Sequence, residues 1–339
     1  MVSNAQAAPL TFEFKETGGN CSGCSWVAAE GEITSSTPFD FDNFYASSPI
    51  AYGQPIVFNS LGGDLVAGLR SGYRIRQLGL QTSVAKTVPD GSGQSKINYD
   101  TVCASACAWA FLGGVVRNEL SGQIGVHQFY YSYALLKPDM RYFSANDLVG
   151  EQQMLSGLIN YTVAMNIDPR FVATSSAVKP NDIHFLNDIE LDAYRVRWNP
   201  YLLTPWKSEA YENGVVAFSK TNDEKTTTMR FCDTKKRIKF QFKTPAVLDP
   251  NWYLEMRDSM TEINMFGLTF DRSLYSFDID FGMVSLTLNI KKLDRNSFHV
   301  DNLQIKSNVA HAYYGFLEQF IITDQNLLIN ARVALNNCL

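Results

Sequence analysis

Hydrophobic and polar residues alternate between residues 10 and 35, in segments such as LTFEF and SWVAAEGEI. A period of two residues is typical of β-strands that bury one face. The stretch from residue 54 to 86 predicts a strand, a glycine turn, a helix and a second strand. This order indicates a right-handed crossover between parallel strands, as in an α/β fold. Residues 88 to 100, rich in Gly, Ser and Asp, are predicted to be a polar loop.

Two helices are predicted from apolar residues that recur every three or four positions. The first starts after Asp64 and stops at Gly79, because a carboxylate stabilises a helix N-terminus and glycine commonly ends a helix. The second runs from about residue 145 to 166, with Ser144 and Asp147 as an N-terminal capping pair. The apolar face of this second helix consists of Leu148, Leu155, Leu158, Ile159 and Val163.

Beyond residue 200 the chain changes to short β-rich segments, including GVVAFSK, RIKFQF and MVSLTLNIKKL. We therefore predict an N-terminal segment with a CxxC pair at residues 1–24, an α/β domain at 25–198 and a β-rich domain at 199–339. We expect the last domain to be sandwich-like. It contains no pattern that indicates chemistry.

Composition and charge exclude some classes of function. The chain has 339 residues, of which 45% are hydrophobic and 19% are charged, as in an ordinary folded globule. A net charge of −5 argues against nucleic acid as the main partner, since the densest basic group is only Lys235, Lys236 and Arg237. The longest uncharged run, from Thr101 to Val116, is shorter than a bilayer-spanning helix, so no membrane span is predicted.

The even number of cysteines favours disulfides and an oxidising compartment. Cys21–Cys24 and Cys232–Cys338 are the favoured pairs, the second because it would tie the end of a domain to its middle. The spacing of the first four cysteines also permits a zinc site, but no histidine lies near them, so structural disulfides fit better. The disulfide candidates are Cys21, Cys24, Cys103, Cys107, Cys232 and Cys338.

The N-terminus contains Ala5-Gln6-Ala7, the small-x-small pattern found before a signal cleavage point. An Ala-rich chain end explains the same residues equally well.

The segment CASACAWAFLGG places Ser105 among small residues at the predicted start of an apolar helix. Unpaired N–H groups and the helix dipole at such a position favour a developing negative charge. Serine is also a preferred helix N-cap, and the segment taken alone favours that role.

Two further segments offer what acyl transfer from a serine requires, namely amide donors for the oxyanion and a base. Gly62 and Gly63 join a buried strand to a helix, where glycine lets the backbone approach a ligand. A tight turn is the simpler explanation of these glycines. His127 ends the predicted strand GQIGVHQ, where a lone histidine is more often a satisfied structural residue.

In combination, these segments resemble the Clp-type serine peptidases, within the crotonase-like superfamily. VFNSLGGDLVAGL resembles that family's Asn-Ser-Pro-Gly-Gly turn, with Leu61 in place of proline. CASACAWAFLGG resembles its nucleophile segment, and IGVHQF resembles the segment that ends in the catalytic histidine. The resemblance covers residues 25 to 197 and is closest to exported Clp-like proteins of bacteria, through CSGCSWVAAEGEIT and the cysteines beside the serine. The G-x-S-x-G elbow of α/β-hydrolases is absent.

The resemblance implies a ββα spiral domain and a serine hydrolase, specifically a peptidase. Ser105 would be the nucleophile, His127 the general base, and the N–H groups of Gly63 and Ala106 the oxyanion hole. The implied substrate is a polypeptide or an ester, and the acyl-enzyme that forms is released by water. No metal or cofactor is required. Export to the periplasm or secretion agrees with the cysteines.

The third catalytic residue falls in KPNDIHFLNDIELDAY, where the match to the family weakens. Asp182 is the best candidate for this acid, with Asp168 and Asp188 behind it, although any one of them is individually more typical of a solvated loop carboxylate. The main alternative is a binding protein that keeps the fold without catalysis. An acyl-CoA enzyme from the crotonase side is a third hypothesis; such enzymes usually rely on paired oxyanion amides with glutamates rather than a serine, so the serine and histidine segments argue against it. Clp-like subunits commonly assemble, so we expect a self-contained hydrolase or a small homo-oligomer.

Overall fold

The computed structural model describes residues 8–19, 24–48, 50–130, 144–246, 249–259, 261–265, 268–290, 326–336 and 338. The chain divides into two compact units, Met1–Asn199 and Pro200–Leu339. Helices and several sheets are combined in the chain, which confirms the mixed α/β class predicted from the sequence.

The first unit contains ten strands and six helices among its described residues. They are β1 (Thr11–Glu16), β2 (Ser25–Glu30), α1 (Thr37–Ser47), β3 (Pro55–Asn59), α2 (Leu65–Gln77), β4 (Gln81–Val84), β5 (Lys86–Pro89), β6 (Ser95–Asn98), β7 (Cys103–Ala104), α3 (Ala106–Phe111), β8 (Arg117–Asn118), β9 (Ile124–Val126), α4 (Ala145–Ala164), α5 (Arg170–Ala177), β10 (His184–Phe185) and α6 (Asp188–Ala193).

The main sheet of this unit has the order β1-β2-β3-β4-β8. Its β2, β3, β4 and β8 are parallel, and β1 pairs antiparallel with β2. The predicted strand–helix–strand connection between parallel strands is confirmed, since α2 joins β3 and β4. Residues 11–16, assigned from the sequence to a separate N-terminal segment, form the edge strand of this sheet. A second sheet, β10-β9-β7, carries the segments around Ser105 and His127.

Local sequence explains where the two predicted helices begin. The Asp64 side chain accepts a hydrogen bond from the Ala67 N–H at 2.9 Å, which caps α2. Ser144 and Asp147 form the predicted capping box at the start of α4. Of the apolar face predicted for α4, Leu158 is buried, but Leu148, Leu155, Ile159 and Val163 are exposed.

The predicted polar loop at residues 88 to 100 is wrong in part. It contains β6 and the end of β5, which pair as an antiparallel hairpin. Asp90 organises the turn of this hairpin by accepting hydrogen bonds from the N–H groups of Ser92 (2.7 Å) and Gln94 (3.1 Å). The Gly/Ser-rich sequence therefore marks only the turn, and the flanking residues pair.

A buried arginine holds the far edge of the first unit together. Arg117 donates to the backbone carbonyls of Val196 (2.9 Å), Gly114 (2.9 Å) and Arg195 (2.7 Å). Burial lowers its pKa to about 9. Nearby, the Glu119 carboxylate is fully buried, with its Oε1 atom 3.8 Å from Nε of Arg197. Burial raises the pKa of Glu119 to about 8 despite that cation.

The second unit is rich in strands. Its described elements are β11 (Lys207–Tyr211), β12 (Gly214–Lys220), β13 (Thr227–Cys232), β14 (Ile238–Pro245), α7 (Pro250–Ser259), β15 (Glu262–Met265), β16 (Leu268–Asp271), a 3-10 turn (Arg272–Leu274), β17 (Tyr275–Asp280), β18 (Met283–Ile290) and α8 (Leu327–Leu335).

Six of these strands form one antiparallel sheet, in the order β11-β12-β13-β14-β18-β17. Within the described part of the unit, the helix α8 packs against β11, β12 and β13, and the remaining strands, β15 and β16, form a hairpin. Period-two burial along β14 places Phe240 and Phe242 in the core. One large sheet with a helix on it thus stands where a sandwich-like domain is predicted.

Two disulfides lie within the described residues. Cys232, at the end of β13, is bonded to Cys338 across 106 positions, which confirms the predicted pair. Cys103 is bonded to Cys107, so neither of these sulfurs is available to the zinc site weighed above. The predicted Cys21–Cys24 pair lies outside the described residues, because Cys21 does. No helix in the described ranges is both long and apolar enough to cross a bilayer.

Candidate active site

Ser105 lies at the junction between β7 and α3, with backbone angles φ 55° and ψ −125°. A residue other than glycine in such a conformation costs about 1–3 kcal/mol, and residues of this kind concentrate at functional sites. The conformation is held by hydrogen bonds from the N–H groups of Ala104 to Ser60 O (3.0 Å) and of Ser105 to Gly125 O (2.9 Å). Ser105 is therefore not part of the helix, although it directly precedes it.

The capping role that serine alone would favour is not what Ser105 performs. Its side chain makes no cap hydrogen bond to α3. Within the described part of the chain, the N–H groups of Ala106 and Cys107 at the helix start have no acceptor. Free amides next to a hydroxyl leave that end of α3 able to stabilise an anion.

Gly62 and Gly63 form the turn between β3 and α2, beside Ser105. Both have positive φ, 103° and 137°. A Cβ atom on Gly62 would stand 2.7 Å from Cβ of Ser105 and 2.9 Å from the Ala106 nitrogen, so only glycine lets the two backbones come this close. The Gly63 N–H has no acceptor among the described residues. The turn thus packs Gly62 against the backbone of Ser105 and Ala106, and the free amide of Gly63 follows one residue later.

His127 directly follows β9, and its ring is partly buried. Its Nδ1 atom lies 2.8 Å from the carbonyl oxygen of Gln128. A carbonyl can only accept, so the hydrogen bond requires the proton on Nδ1 and leaves a lone pair on Nε2. No hydrogen bond joins His127 to Ser105 in the described structure, although both side chains open onto the same cleft.

The cleft has a volume of about 1160 Å³ and lies entirely within the first unit. Ser105, His127 and the glycine turn line it, and Trp109, Met154 and Leu158 contribute apolar surface. Trp109 is fixed by edge-to-face contact with Phe171, with ring centroids 5.1 Å apart. A chain-like substrate could therefore lie against apolar side chains with a carbonyl near the serine.

The structure does not bring the predicted acids to His127. Asp182 is exposed in a turn and does not line the cleft. Asp168 binds Arg170 through both oxygens (2.9 and 3.0 Å), and these hydrogen bonds lower the pKa of Asp168 to about 2. Asp188 pairs with Arg197. The Gln128 carbonyl occupies the Nδ1 side of the ring instead.

Sequence reasoning missed two carboxylates in the cleft wall, Glu30 and Glu32. Glu30 is satisfied by the Thr87 N–H at 2.7 Å and the Asn59 amide at 3.3 Å. Glu30 is the last residue of β2, the strand beside β3, and Glu32 follows two residues later. Because parallel strands end at one edge of a sheet, the two glutamates in the segment AAEGEI could have been predicted to lie beside the turn that follows β3.

Comparisons with known proteins add no relative to this geometry: no family model matches the chain, and no curated protein matches it in sequence.

Proposed function

We propose that this chain is an exported serine hydrolase of the Clp type that cleaves polypeptides. The observation that carries the proposal is the setting of Ser105. Its side chain does not cap α3, and its backbone has a positive φ. The neighbouring amides of Gly63 and Ala106 lack acceptors in the described structure, and Ser105 and His127 line the same cleft. The two disulfides support an oxidising compartment.

In the proposed reaction, the Ser105 oxygen attacks the substrate carbonyl and its proton passes to Nε2 of His127. The amides of Gly63 and Ala106 bind the oxyanion that forms. His127 then returns the proton to the leaving group, and water repeats the sequence to release the acyl group. The Gln128 carbonyl fixes the ring tautomer, as the acid does in a complete triad, but without a negative charge to stabilise the imidazolium.

The proposed fold is the crotonase-like spiral implied by the resemblance. It agrees with the order of glycine turn, serine and histidine and with two sheets that meet near Ser105, where Ser60 bridges to Cys103. The exposed apolar residues of α4 support a small homo-oligomer.

A non-catalytic binding protein is the second candidate. Two observations favour it: Ser105 and His127 share no hydrogen bond in the described structure, and none of the three predicted acids is at His127. Catalytic hydrogen bonds are often long in structures without substrate, so the chemistry has to be measured.

Labelling with a fluorophosphonate separates the two candidates. A hydrolase forms a covalent adduct on Ser105, detected by intact-protein mass spectrometry and mapped by peptide digestion. We expect no adduct in Ser105→Ala and labelling about 100-fold slower in His127→Ala, because general-base assistance is worth at least that much.

Matched controls test whether the loss of labelling is specific to Ser105 and His127. Ser121→Ala changes an exposed turn serine, and His184→Gln changes a histidine whose Nε2 atom binds Glu190 at 2.8 Å outside the cleft. Both are expected to label like the wild type. An unlabelled wild type with a normal circular dichroism spectrum would instead establish the binding protein.

A further inference from the structure

The Cys103–Cys107 disulfide encloses Ser105. The two cysteines lie two residues before and two residues after the serine, and their Cα atoms are 5.2 Å apart. Both are fully buried, whereas Ser105 is partly exposed to the cleft. The covalent loop therefore has the proposed nucleophile at its tip.

The two sides of this loop are held by different means. On the strand side, hydrogen bonds join the N–H groups of Cys103 to Gln123 O (2.9 Å), Ala104 to Ser60 O and Ser105 to Gly125 O. On the helix side, the amides of Ala106 and Cys107 make no such bond in the described structure. The disulfide is thus the covalent connection between the fixed strand and the less constrained start of α3.

We propose that the Cys103–Cys107 disulfide positions the nucleophile. It holds Ser105 in its positive-φ conformation and keeps the Ala106 amide beside the Gly62–Gly63 turn, and it acts through these groups without contacting substrate. This role rests on the proposed hydrolase function. Burial of both sulfurs makes the bond a permanent part of the site, because reductants cannot reach it in the folded protein.

The same chain contains a matched control, the Cys232–Cys338 disulfide in the second unit. The test compares C103A/C107A with C232A/C338A in the full-length protein, and both double variants leave no unpaired partner thiol. For each, fluorophosphonate labelling is resolved into the maximal rate kinact and the half-saturation concentration KI, as a function of pH. Circular dichroism and urea unfolding define the temperature at which all proteins are folded.

Positioning predicts a specific pattern. We expect kinact to fall about tenfold or more in C103A/C107A, with an unchanged KI and an unchanged pH of half-maximal labelling. In C232A/C338A we expect kinact within twofold of the wild type. A C103A/C107A variant that is folded and labels with the wild-type kinact would overturn the inference while leaving the hydrolase intact. An unlabelled wild type would overturn the hydrolase itself.

A second measurement covers the case in which C103A/C107A does not fold. The C232A/C338A protein is reduced in the lowest urea concentration that exposes the remaining sulfurs, returned to buffer, and then reoxidised. Mass spectrometry gives the fraction of Cys103–Cys107 disulfide in each sample. Labelling that falls on reduction and returns with the bond supports positioning, and labelling independent of the bond contradicts it.

Discussion

The two units differ in the direction of their strands, and this difference decides where chemistry can gather. In the first unit, β2, β3 and β4 run parallel, so the residues after β2 and β3 meet at one edge beside the start of α3. In the second unit, all six strands of the sheet are antiparallel, so neighbouring strand ends alternate between opposite edges. Parallel strands thus bring residues that are distant in sequence to one edge of the sheet. The antiparallel sheet does not bring its strand ends together in this way.

Glycine substitutions give the largest expected contrast between the units. Gly62→Ala places a Cβ atom 2.6 Å from Ala104 O and 2.7 Å from Cβ of Ser105, at a φ of 103°. We expect fluorophosphonate labelling to fall about 100-fold, the typical effect of displacing an oxyanion donor.

The matched variant is Gly282→Ala in the turn between β17 and β18. Its φ is also positive, at 72°, but nothing lies within 4 Å of the added Cβ. We expect a loss of about 1 kcal/mol in unfolding free energy and unchanged labelling. Equal labelling of the two folded variants would show that the Gly62 turn has no special role at the candidate site.

The disulfide of the second unit gives the next prediction. The C232A/C338A variant opens a loop of 106 positions, and we expect it to lower the unfolding free energy by about 2–4 kcal/mol. Hydrogen–deuterium exchange with peptide resolution should show faster exchange in β13 and α8. Faster exchange throughout the first unit would contradict the expectation that this disulfide stabilises only the second unit.

Glu119 makes the first unit sensitive to rising pH. The pKa of this buried carboxyl is raised to about 8, above the value near 4.5 in an unfolded chain. The folded state then holds a proton that the unfolded state has lost, so stability declines as pH rises from about 4.5 to 8. Glu119→Gln does not titrate, and we expect it to be more stable than the wild type by about 5 kcal/mol at pH 9, with little difference at pH 4.5. Urea unfolding at both pH values measures this, and a constant difference would refute the assignment.

Asp233 gives the smallest effect, with the opposite sign. Burial acts to raise its pKa, but hydrogen bonds from Arg237 (2.9 Å from the backbone N–H, 2.8 Å from Nε) outweigh it, and the pKa is lowered. Its contribution is present above the unfolded value of about 3.8 and is lost as pH falls. We expect Asp233→Asn to cost about 1 kcal/mol at pH 7 and progressively less as the pH falls below 3.8, measured by urea unfolding. A cost that does not change with pH would assign the effect to packing.

Local sequence predicted the elements whose determinants are local. The caps of Asp64 and Ser144 depend on residues within one turn, and both are present as expected. The exposure of Leu148 and Val163 could not be predicted, because periodicity shows that a face is apolar but not what covers it.

The candidate site divides in the same way. Ser105 and His127 each adjoin a strand end, Gly63 lies in the turn between β3 and α2, and all three line the cleft. The Nδ1 partner of His127 is a main-chain carbonyl, and because every residue has one, the sequence could not predict this contact. Asp182 is predicted from its place in a segment where the resemblance weakens, and in the structure it lies exposed at a turn.

The bond between Cys232 and Cys338 also governs how the chain would respond to proteases. Cleavage at any peptide between these two cysteines leaves both fragments attached through sulfur, so α8 stays tethered to β13. A nicked molecule would therefore migrate as one band on a non-reducing gel and as two after reduction.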